Sequence, residues 1–238
     1  MTVSRRAAFG RLAMLATAAS TFAGPGWAVQ PLKIGIIGSG NMGGTIGRLW
    51  VEAGHEVLFS SRNPQELLSM TRSLGARASA GTPAQAAAFG SVVLLAVPYD
   101  ALPQLGRDLA SALRGKVVLD ACNPVPGANE LAREAYAKGV AVTSARLLPG
   151  TRVIRAFNAV DSFAAQASAA SRSAGKLGVP LASDDAQAMQ VAAQLVRDIN
   201  CEPVVTGNLA SSTGFQNGGP GFRANTTAPE LRRLLGIA

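Results

Sequence analysis

The sequence predicts an α/β fold in which helices cover both faces of a doubly wound, mostly parallel sheet. Short apolar segments alternate with helical patterns along most of the chain. Several of these segments are continuously apolar, residues 91–97 above all, which is typical of strands that are buried on both faces. A glycine-rich turn follows the first apolar segment, as in nucleotide-binding α/β proteins.

The strands are predicted where short apolar runs are bounded by glycine, proline or polar residues. They cover residues 32–37, 56–60, a short stretch near 77, 91–97, 116–121, 153–157, 179–182 and 202–205. Helices are predicted at residues 43–53, 64–74, from 83 onward, 101–113 and 184–199. Gly54 ends the first helix, and Pro64 occupies the first turn of the second. This alternation favours parallel neighbours joined by right-handed crossovers.

The last third of the chain is expected to belong to the same unit. Residues 150–238 contain further strand and helix patterns, so they should extend or flank the sheet, and residues 29–238 form one domain. Residues 162–178 are rich in Ala, Ser and Gln and are interpreted as an irregular excursion. Residues 211–229 are rich in Gly, Ser, Thr and Asn and are interpreted as a loop.

The composition excludes several classes of protein. The chain has 238 residues of which 48% are hydrophobic, enough for a core and against wholesale disorder. No apolar run approaches the roughly 20 residues that a membrane-spanning helix needs, so no stable membrane insertion is predicted. Two cysteines and one histidine are too few for a disulfide framework or a thiolate or histidine metal centre. Cys122 and Cys201 are interpreted as free, buried thiols.

The net charge is +8, but basic residues do not cluster with aromatic ones, so nucleic acid is not an expected partner. Residues 1–28 contain Arg5, Arg6 and Arg11 and no acidic residue. Within this segment, residues 12–23 are weakly apolar and Gly26-Trp27-Ala28 offers small residues for cleavage, so the segment is interpreted as an export signal. The paired arginines favour the twin-arginine route to the periplasm, with a general secretory signal as the alternative.

The main functional signal is a G-x-G-x-x-G sequence between the first strand and the first helix, Gly38-Ser39-Gly40-Asn41-Met42-Gly43. Gly38 permits the tight turn, Gly40 lets a pyrophosphate approach the backbone, and Gly43 lets the helix pack on the strand. The free N–H groups at the helix start then face the phosphates. Strand, turn and helix together predict a Rossmann-type NAD(P)-binding fold, because the glycines occur in the required context.

The end of the second strand indicates which dinucleotide is bound. NAD-binding domains carry an acidic residue there, whereas this chain has Ser60, Ser61 and Arg62. An arginine can bind a 2′-phosphate that a carboxylate would repel, so NADP is predicted, although an ordinary polar turn would look the same.

Other candidates follow later strands, because ligands of open α/β sheets bind at the carboxyl ends of the strands. Val97, Pro98 and Tyr99 follow the fourth strand, Asn123 follows the fifth, and Asn158 follows the next. The first four of these are equally compatible with rigid proline turns. His55 lies at the opposite end of the sheet and is assigned a structural role.

Longer segments resemble a known family. Residues 34–44, which contain the glycine turn, together with Ala53-Gly54-His55-Glu56-Val57 and Ser60-Ser61-Arg62-Asn63-Pro64, resemble the coenzyme F420-dependent NADP oxidoreductases. The six-transmembrane metalloreductases carry a cytosolic domain of the same kind. Asp120-Ala121-Cys122-Asn123-Pro124 and Arg155-Ala156-Phe157-Asn158 resemble later segments of that group, and the resemblance spans about residues 32–205.

The resemblance implies an NADPH-dependent oxidoreductase that passes hydride between the nicotinamide and a flat redox acceptor: deazaflavin F420, a flavin or a metal chelate. It implies cofactor contacts from Gly38, Gly40, Gly43, Ser61 and Arg62. No acid–base residue is assigned, since hydride transfer depends mainly on ring alignment. A pyrroline-carboxylate-like imino-acid reductase and a non-catalytic NADP sensor are the alternatives. A homodimer is one candidate for the oligomeric state.

Overall fold

The computed structural model describes residues 30–171 and 175–237, so the predicted export signal at 1–28 lies outside the described residues. The strands form one eight-stranded sheet in the order β3-β2-β1-β4-β5-β6-β7-β8. All neighbouring strands run parallel except β6 and β7, which are antiparallel. The strands are β1 Lys33–Ile37, β2 Glu56–Ser60, β3 Ala78–Gly81, β4 Val92–Leu95, β5 Val117–Asp120, β6 Arg152–Arg155, β7 Gly178–Ala182 and β8 Glu202–Gly207.

Helices cover both faces of this sheet, as the fold class predicts. The helices are α1 Asn41–Glu52, α2 Leu68–Leu74, α3 Pro83–Phe89, α4 Leu102–Asp108, α5 Ala110–Leu113, α6 Glu130–Lys138, α7 Val140–Leu147, α8 Ser162–Ala170, α9 Ala186–Asp198 and α10 Ala228–Leu235. Short 3-10 segments cover Pro64–Leu67, Tyr99–Ala101 and Leu209–Phe215. No helix among these is long and apolar enough to cross a bilayer, within the described part of the chain.

The central strands have apolar side chains on both faces. In β1, Ile34 and Ile36 pack into the cluster formed with α1, α8 and α9, while Ile37 packs into the cluster formed with α3, α4 and α7. Gly35 lies against α3 so closely that a Cβ there would be 2.1 Å from the carbonyl oxygen of Ala86. This two-sided burial explains why the strands appear in the sequence as continuous apolar runs rather than alternating ones.

The strand order indicates where a ligand site is expected in this sheet. β1 lies between β2 and β4, so the connections leave β1 in opposite directions on the two sides of the sheet. In open α/β sheets a ligand crevice opens at this point, beyond the carboxyl ends of the strands. Strands β1, β2, β4, β5 and β6 all end at this edge, which is called the carboxyl edge below.

The last third of the chain departs from the sequence prediction in its details. Strands β6, β7 and β8 extend the same sheet. The interpretation of residues 162–178 as irregular is wrong for the first half of that segment, because Ser162–Ala170 is α8. Its alanines favour a helix, but its weak amphipathic pattern hides it. The segment predicted as a loop at 211–229 begins within a 3-10 turn and ends within α10.

The single histidine and the two cysteines are structural. Nδ1 of His55 accepts a hydrogen bond from the Leu32 amide at 3.1 Å, and Nε2 lies 3.1 Å from Oδ2 of Asp198. This pair joins the start of β2 to the end of α9, opposite the carboxyl edge, so the structural assignment of His55 is confirmed. Cys122 and Cys201 are buried and free, as predicted.

Candidate cofactor-binding site

The turn between β1 and α1 has the geometry that its glycines predict. Gly38 has φ +98°, and a Cβ there would lie 2.4 Å from the carbonyl oxygen of Ala96. A Cβ on Gly43 would lie 2.1 Å from the Gly38 carbonyl oxygen. By contrast, a Cβ on Gly40 would meet no protein atom within 4 Å. The first and last glycines are therefore required by the fold, whereas Gly40 leaves open space at the start of α1.

The start of α1 offers hydrogen-bond donors to that open space. Gly40 is the N-cap residue, no side chain caps the helix, and its first turn contains no acidic residue. The first intrahelical bond runs from the Gly44 amide to the Gly40 carbonyl at 2.7 Å. The N–H groups of Asn41, Met42 and Gly43 precede that bond, so they and the positive end of the helix dipole are available to an anion.

Ser39, between the first two glycines of the turn, is attached through its main chain and leaves its hydroxyl unpaired within the described structure. Its amide donates to the carbonyl of Ser60 at 3.2 Å, which attaches the turn to the end of β2. Its hydroxyl is buried and has no hydrogen-bond partner among the described residues. A buried, unpaired hydroxyl is costly unless a ligand or water completes it.

At the end of β2 the three predicted residues differ in their roles. Ser60 is fully buried, and its hydroxyl donates to the Ile36 carbonyl at 2.7 Å, so it binds β2 to β1 rather than facing the crevice. The hydroxyl of Ser61 accepts from the Asn63 amide at 3.1 Å. Arg62 is exposed, and it forms no ion pair with any residue in the described ranges. Its guanidinium is therefore available to a phosphate.

The residues after β4 are divided between the crevice and the core. Val97 lies against the glycine turn, since its Cγ1 would be 2.8 Å from a Cβ on Gly38, and Pro98 next to it is exposed. The side chain of Tyr99 turns away from the crevice into the core. Its hydroxyl donates to the Val140 carbonyl at 3.2 Å, and burial raises its pKa to about 12. The prediction that Tyr99 binds the cofactor therefore does not hold for its side chain, because that side chain packs into the core.

Asp120 and Arg155, which the sequence did not single out as site residues, join the ends of β5 and β6. Both side chains are fully buried, and Nη1 of Arg155 donates to Oδ2 of Asp120 at 2.7 Å and to the Cys122 carbonyl at 2.6 Å. Its Nη2 donates to Oδ1 of Asn123 at 2.7 Å. The sequence does contain a signal for this pair, because an aspartate and an arginine each end one of two apolar strands. The pair fixes the loop that carries Asn123 beneath the carboxyl edge.

Asn158 lies at the centre of the next hydrogen-bond group. Its carbonyl accepts from Nδ2 of Asn123 at 2.7 Å, and its own Nδ2 donates to the carbonyl of Phe215 at 3.0 Å. Its Oδ1 is buried and has no partner among the described residues. Phe157, just before it, has φ +61°, an unusual conformation for a bulky residue. Asn123 and Asn158 are thus brought together, and one acceptor atom of the group is left unpaired.

A cavity of about 560 Å³ opens beside the glycine turn and runs between α1 and α8. Its lining is mostly polar and includes Ser39, Gly40, Thr45, Arg48 and Gln166. No group of three or more His, Cys, Asp or Glu side chains is placed to hold a metal ion, within the residues that the structure describes.

The glycine turn, the free helix start and the end of β2 all fall within one matched segment. Residues 33–124 match the coenzyme F420-dependent NADP oxidoreductase family. The resemblance predicted from the sequence is thereby confirmed, and residues 33–124 are called the F420-oxidoreductase region below.

Curated relatives extend the similarity beyond that region. The chain is 29% identical over 180 residues to the metalloreductase STEAP3 of Rattus norvegicus, which covers 76% of this chain and 35% of the relative. It is 25% identical over 191 residues to the metalloreductase STEAP2 of Homo sapiens, covering 79% and 36%. This chain therefore spans about a third of the length of the curated relatives it matches.

Solved structures confirm the predicted fold class. A hypothetical protein from Sinorhizobium meliloti has a TM-score of 0.68 at 27% identity, covering 81% of this chain and 93% of its own. A candidate F420-dependent NADP reductase from Arthrobacter sp. FB24 has a TM-score of 0.67 at 20% identity, covering 87% and 96%. A pyrroline-5-carboxylate reductase from Coxiella burnetii has a TM-score of 0.57 at 16% identity, covering 77% and 62%. The last two show a shared fold alone.

Proposed function

We propose that this protein is an NADPH-dependent oxidoreductase that transfers a hydride between NADP and a flat redox acceptor. The observation that carries the proposal is the glycine turn, where the fold requires Gly38 and Gly43 and leaves space at Gly40 in front of free helix N–H groups. These features fit a pyrophosphate, and the match of residues 33–124 to an NADP oxidoreductase family supports the same cofactor.

The end of β2 supports NADP rather than NAD. Arg62 is unpaired within the described residues and exposed, and Ser61 precedes it at the end of the strand. The residues that end the strand, Ser60 to Asn63, include no carboxylate. A guanidinium can bind a 2′-phosphate through two parallel hydrogen bonds, so Arg62 is the residue expected to discriminate between the cofactors.

The remaining candidates serve the nicotinamide half of the cofactor. The cofactor, when bound, supplies the hydride. Val97 and Pro98 border the crevice next to the turn, and Asn123 and Asn158 lie further along the same edge. The unpaired Oδ1 of Asn158 suits the N–H₂ group of a carboxamide, which would complete its hydrogen bonding. Alignment of the two reacting rings by these residues is the contribution that hydride transfer requires from the chain.

The acceptor is proposed as deazaflavin F420, a flavin or a metal chelate, because the matched family is named for coenzyme F420 and the curated relatives are named as metalloreductases. An imino-acid reductase is the second candidate, favoured by the fold shared with pyrroline-5-carboxylate reductase. In this chain, however, the residues after β5 continue the sheet through β6, β7 and β8, which favours the first proposal.

The decisive experiment mixes the purified protein with NADPH and a panel of F420, flavins, ferric chelates and a cyclic imine. Loss of the nicotinamide absorbance with one acceptor, at a rate proportional to protein, supports an oxidoreductase and identifies its substrate class. Tight NADPH binding with no turnover on any acceptor would favour an NADP sensor. Absence of NADPH binding would contradict the proposal as a whole.

We further propose that residues 1–28 direct the folded protein to the periplasm by the twin-arginine route. The support is Arg5-Arg6 ahead of a weakly apolar stretch that ends in Gly26-Trp27-Ala28. Replacing both arginines with lysine keeps the charge but removes the planar guanidinium, so export should stop and folded protein should accumulate in the cytoplasm. Cell fractionation tests this, and unimpaired export of the double variant would indicate a general secretory signal.

A further inference from the structure

A glycine-rich segment of the C-terminal third is attached across the end of β6. Residues 216–225, called the strap, contain Gly218, Gly219, Pro220 and Gly221. The strap folds tightly on the preceding 3-10 turn, since the Gly221 amide donates to the Gly214 carbonyl at 2.9 Å. A Cβ on Gly219 would lie 2.6 Å from two carbonyl oxygens of that turn. A compact surface loop whose ends lie close together is frequently functional.

Both ends of the strap are bonded to the loop that follows β6. At the start, Nδ2 of Asn158 donates to the carbonyl of Phe215, the residue that precedes the strap. At the far end, the Arg223 amide donates to the Ala159 carbonyl at 2.8 Å. Asn225 then makes a reciprocal pair with Asp161, because Oδ1 accepts from the Asp161 amide at 3.0 Å and Nδ2 donates to Oδ2 at 2.7 Å.

The carboxylate of Asp161 has hydrogen-bond partners that are unusual for an N-cap residue. It occupies the N-cap position of α8, where an aspartate side chain normally accepts hydrogen bonds from the helix N–H groups, yet it makes no such bond. Oδ2 instead binds Asn225, and Oδ1 binds Nη2 of Arg223 at 2.7 Å. The carboxylate is thus engaged by residues more than sixty positions away in the chain. Arg223 and Asn225 both have positive φ, at +53° and +45°, so the strap adopts a strained path to reach it.

The strap meets the candidate site at Asn158. The carbonyl of Asn158 accepts from Asn123, and its Nδ2 donates to Phe215, the residue directly before the strap, while its Oδ1 is the unpaired acceptor assigned above to the nicotinamide. We propose that the strap forms the wall of the acceptor site beside the nicotinamide, and that Asp161 is the positioning residue that holds this wall. The inference rests on the proposed function.

The composition of the wall indicates the class of acceptor. Gly219 and Gly221 pack onto the 3-10 turn, while Gly218 and Pro220 are exposed and offer a peptide group without a side chain and a compact apolar ring. Such a surface, without long side chains at its tip, can approach a planar conjugated ring closely. We therefore expect the strap to accommodate flat heteroaromatic acceptors, and flavins and deazaflavins are the probes for this expectation.

Amide hydrogen exchange tests the position of the strap without any turnover. We expect NADP⁺ to protect both residues 38–43 and the strap, and 2′-phospho-ADP-ribose, which lacks the nicotinamide, to protect residues 38–43 only. Protection of residues 38–43 by both ligands with no change in the strap would overturn the inference and leave the cofactor site intact. Absence of protection anywhere would overturn the proposed function and the inference together.

A pair of variants tests Asp161. Asp161→Ala should raise the KM for a flavin or F420 acceptor by about tenfold, because the strap loses its attachment to the start of α8. The NADPH dissociation constant should change less than about twofold, because the glycine turn is not affected. Asp185→Ala is the matched control, since Asp185 is also an N-cap aspartate paired with an arginine but lies at the other end of β6. It should lower thermal stability without moving the acceptor KM. Equal KM changes in both variants would make Asp161 a merely structural residue.

Discussion

The F420-oxidoreductase region, residues 33–124, and the C-terminal region from β6 onward, residues 152–237, are built in different ways. The first is a series of consecutive strand–helix units whose turns are set by local glycines and prolines. The second contains the antiparallel β7 and depends on side-chain contacts between residues far apart, such as Asp161 with Asn225 and Asn158 with Phe215. We therefore expect the first region to bind the cofactor and the second to supply the acceptor contacts proposed above.

The Asp120–Arg155 pair joins the two regions, so breaking it should have the largest effect. Arg155→Met would leave the Asp120 carboxylate buried without its counter-ion, which should lower the free energy of unfolding by about 3–5 kcal/mol. Urea denaturation measures the change. The double variant Arg155→Met, Asp120→Leu should recover part of the loss, because no buried charge remains. An unchanged midpoint in the single variant would show that the regions fold independently of this pair.

A second prediction separates fold from function within the F420-oxidoreductase region. Gly40→Val should reduce NADP affinity at least about 100-fold, or about 2.7 kcal/mol, because the side chain occupies the phosphate space. Its circular dichroism should stay native, since no protein atom lies within 4 Å of that Cβ. Gly43→Val is the contrasting control, and it should impair folding itself because of the clash with the Gly38 carbonyl. Full NADP affinity in the folded Gly40→Val variant would show that the cofactor binds elsewhere.

A third prediction concerns cofactor choice. Arg62→Ala should weaken NADP binding by about 1.5–3 kcal/mol, the cost of a charge-assisted contact, and leave NAD binding nearly unchanged. Calorimetric titration of both cofactors measures the difference. Arg48→Ala provides a control, because Arg48 also lines the cavity but lies about two helical turns beyond Asn41, the first residue of α1. If both cofactors lost affinity equally in Arg62→Ala, the arginine would contact a group that they share.

The smallest effect is expected at the end of the C-terminal region opposite the site. Hydrogen bonds from the Arg152 guanidinium, and then from the Ala188 amide, hold the pKa of Asp185 well below its usual range. A lowered folded-state pKa stabilises the protein above the unfolded pKa of about 3.9, and the stabilisation is lost as pH falls toward the folded value. Asp185→Asn should therefore flatten the acid limb of a plot of melting temperature against pH. An acid limb as steep as that of the native chain would contradict this.

The same contrast explains what the sequence could reveal. The glycine turn, Ser61 and Arg62 could be proposed from the sequence because each lies at a fixed offset from a recognisable strand, and β2 was predicted residue for residue. Tyr99 was misjudged because its position after β4 does not indicate which way the side chain turns. Asn158 was predicted as a site residue, but the hydrogen-bond partners of Asp161, Arg155 and Asn158 were not, since tertiary packing sets them and no local spacing encodes them. Helix α8 was missed because its alanines form little amphipathic pattern.

One packing contact also gives the molecule a built-in optical probe. The buried ring of Trp50 meets Phe157 edge to face, with centroids 5.8 Å apart and planes at 80°. The only other tryptophan of the chain is Trp27, inside the predicted export signal. Cleavage of that signal would therefore leave Trp50 as the single fluorescent tryptophan. Because Phe157 immediately precedes Asn158, a ligand that shifts the end of β6 would change the surroundings of that emitter. Its emission spectrum could then follow occupancy of the crevice in real time, with no label attached.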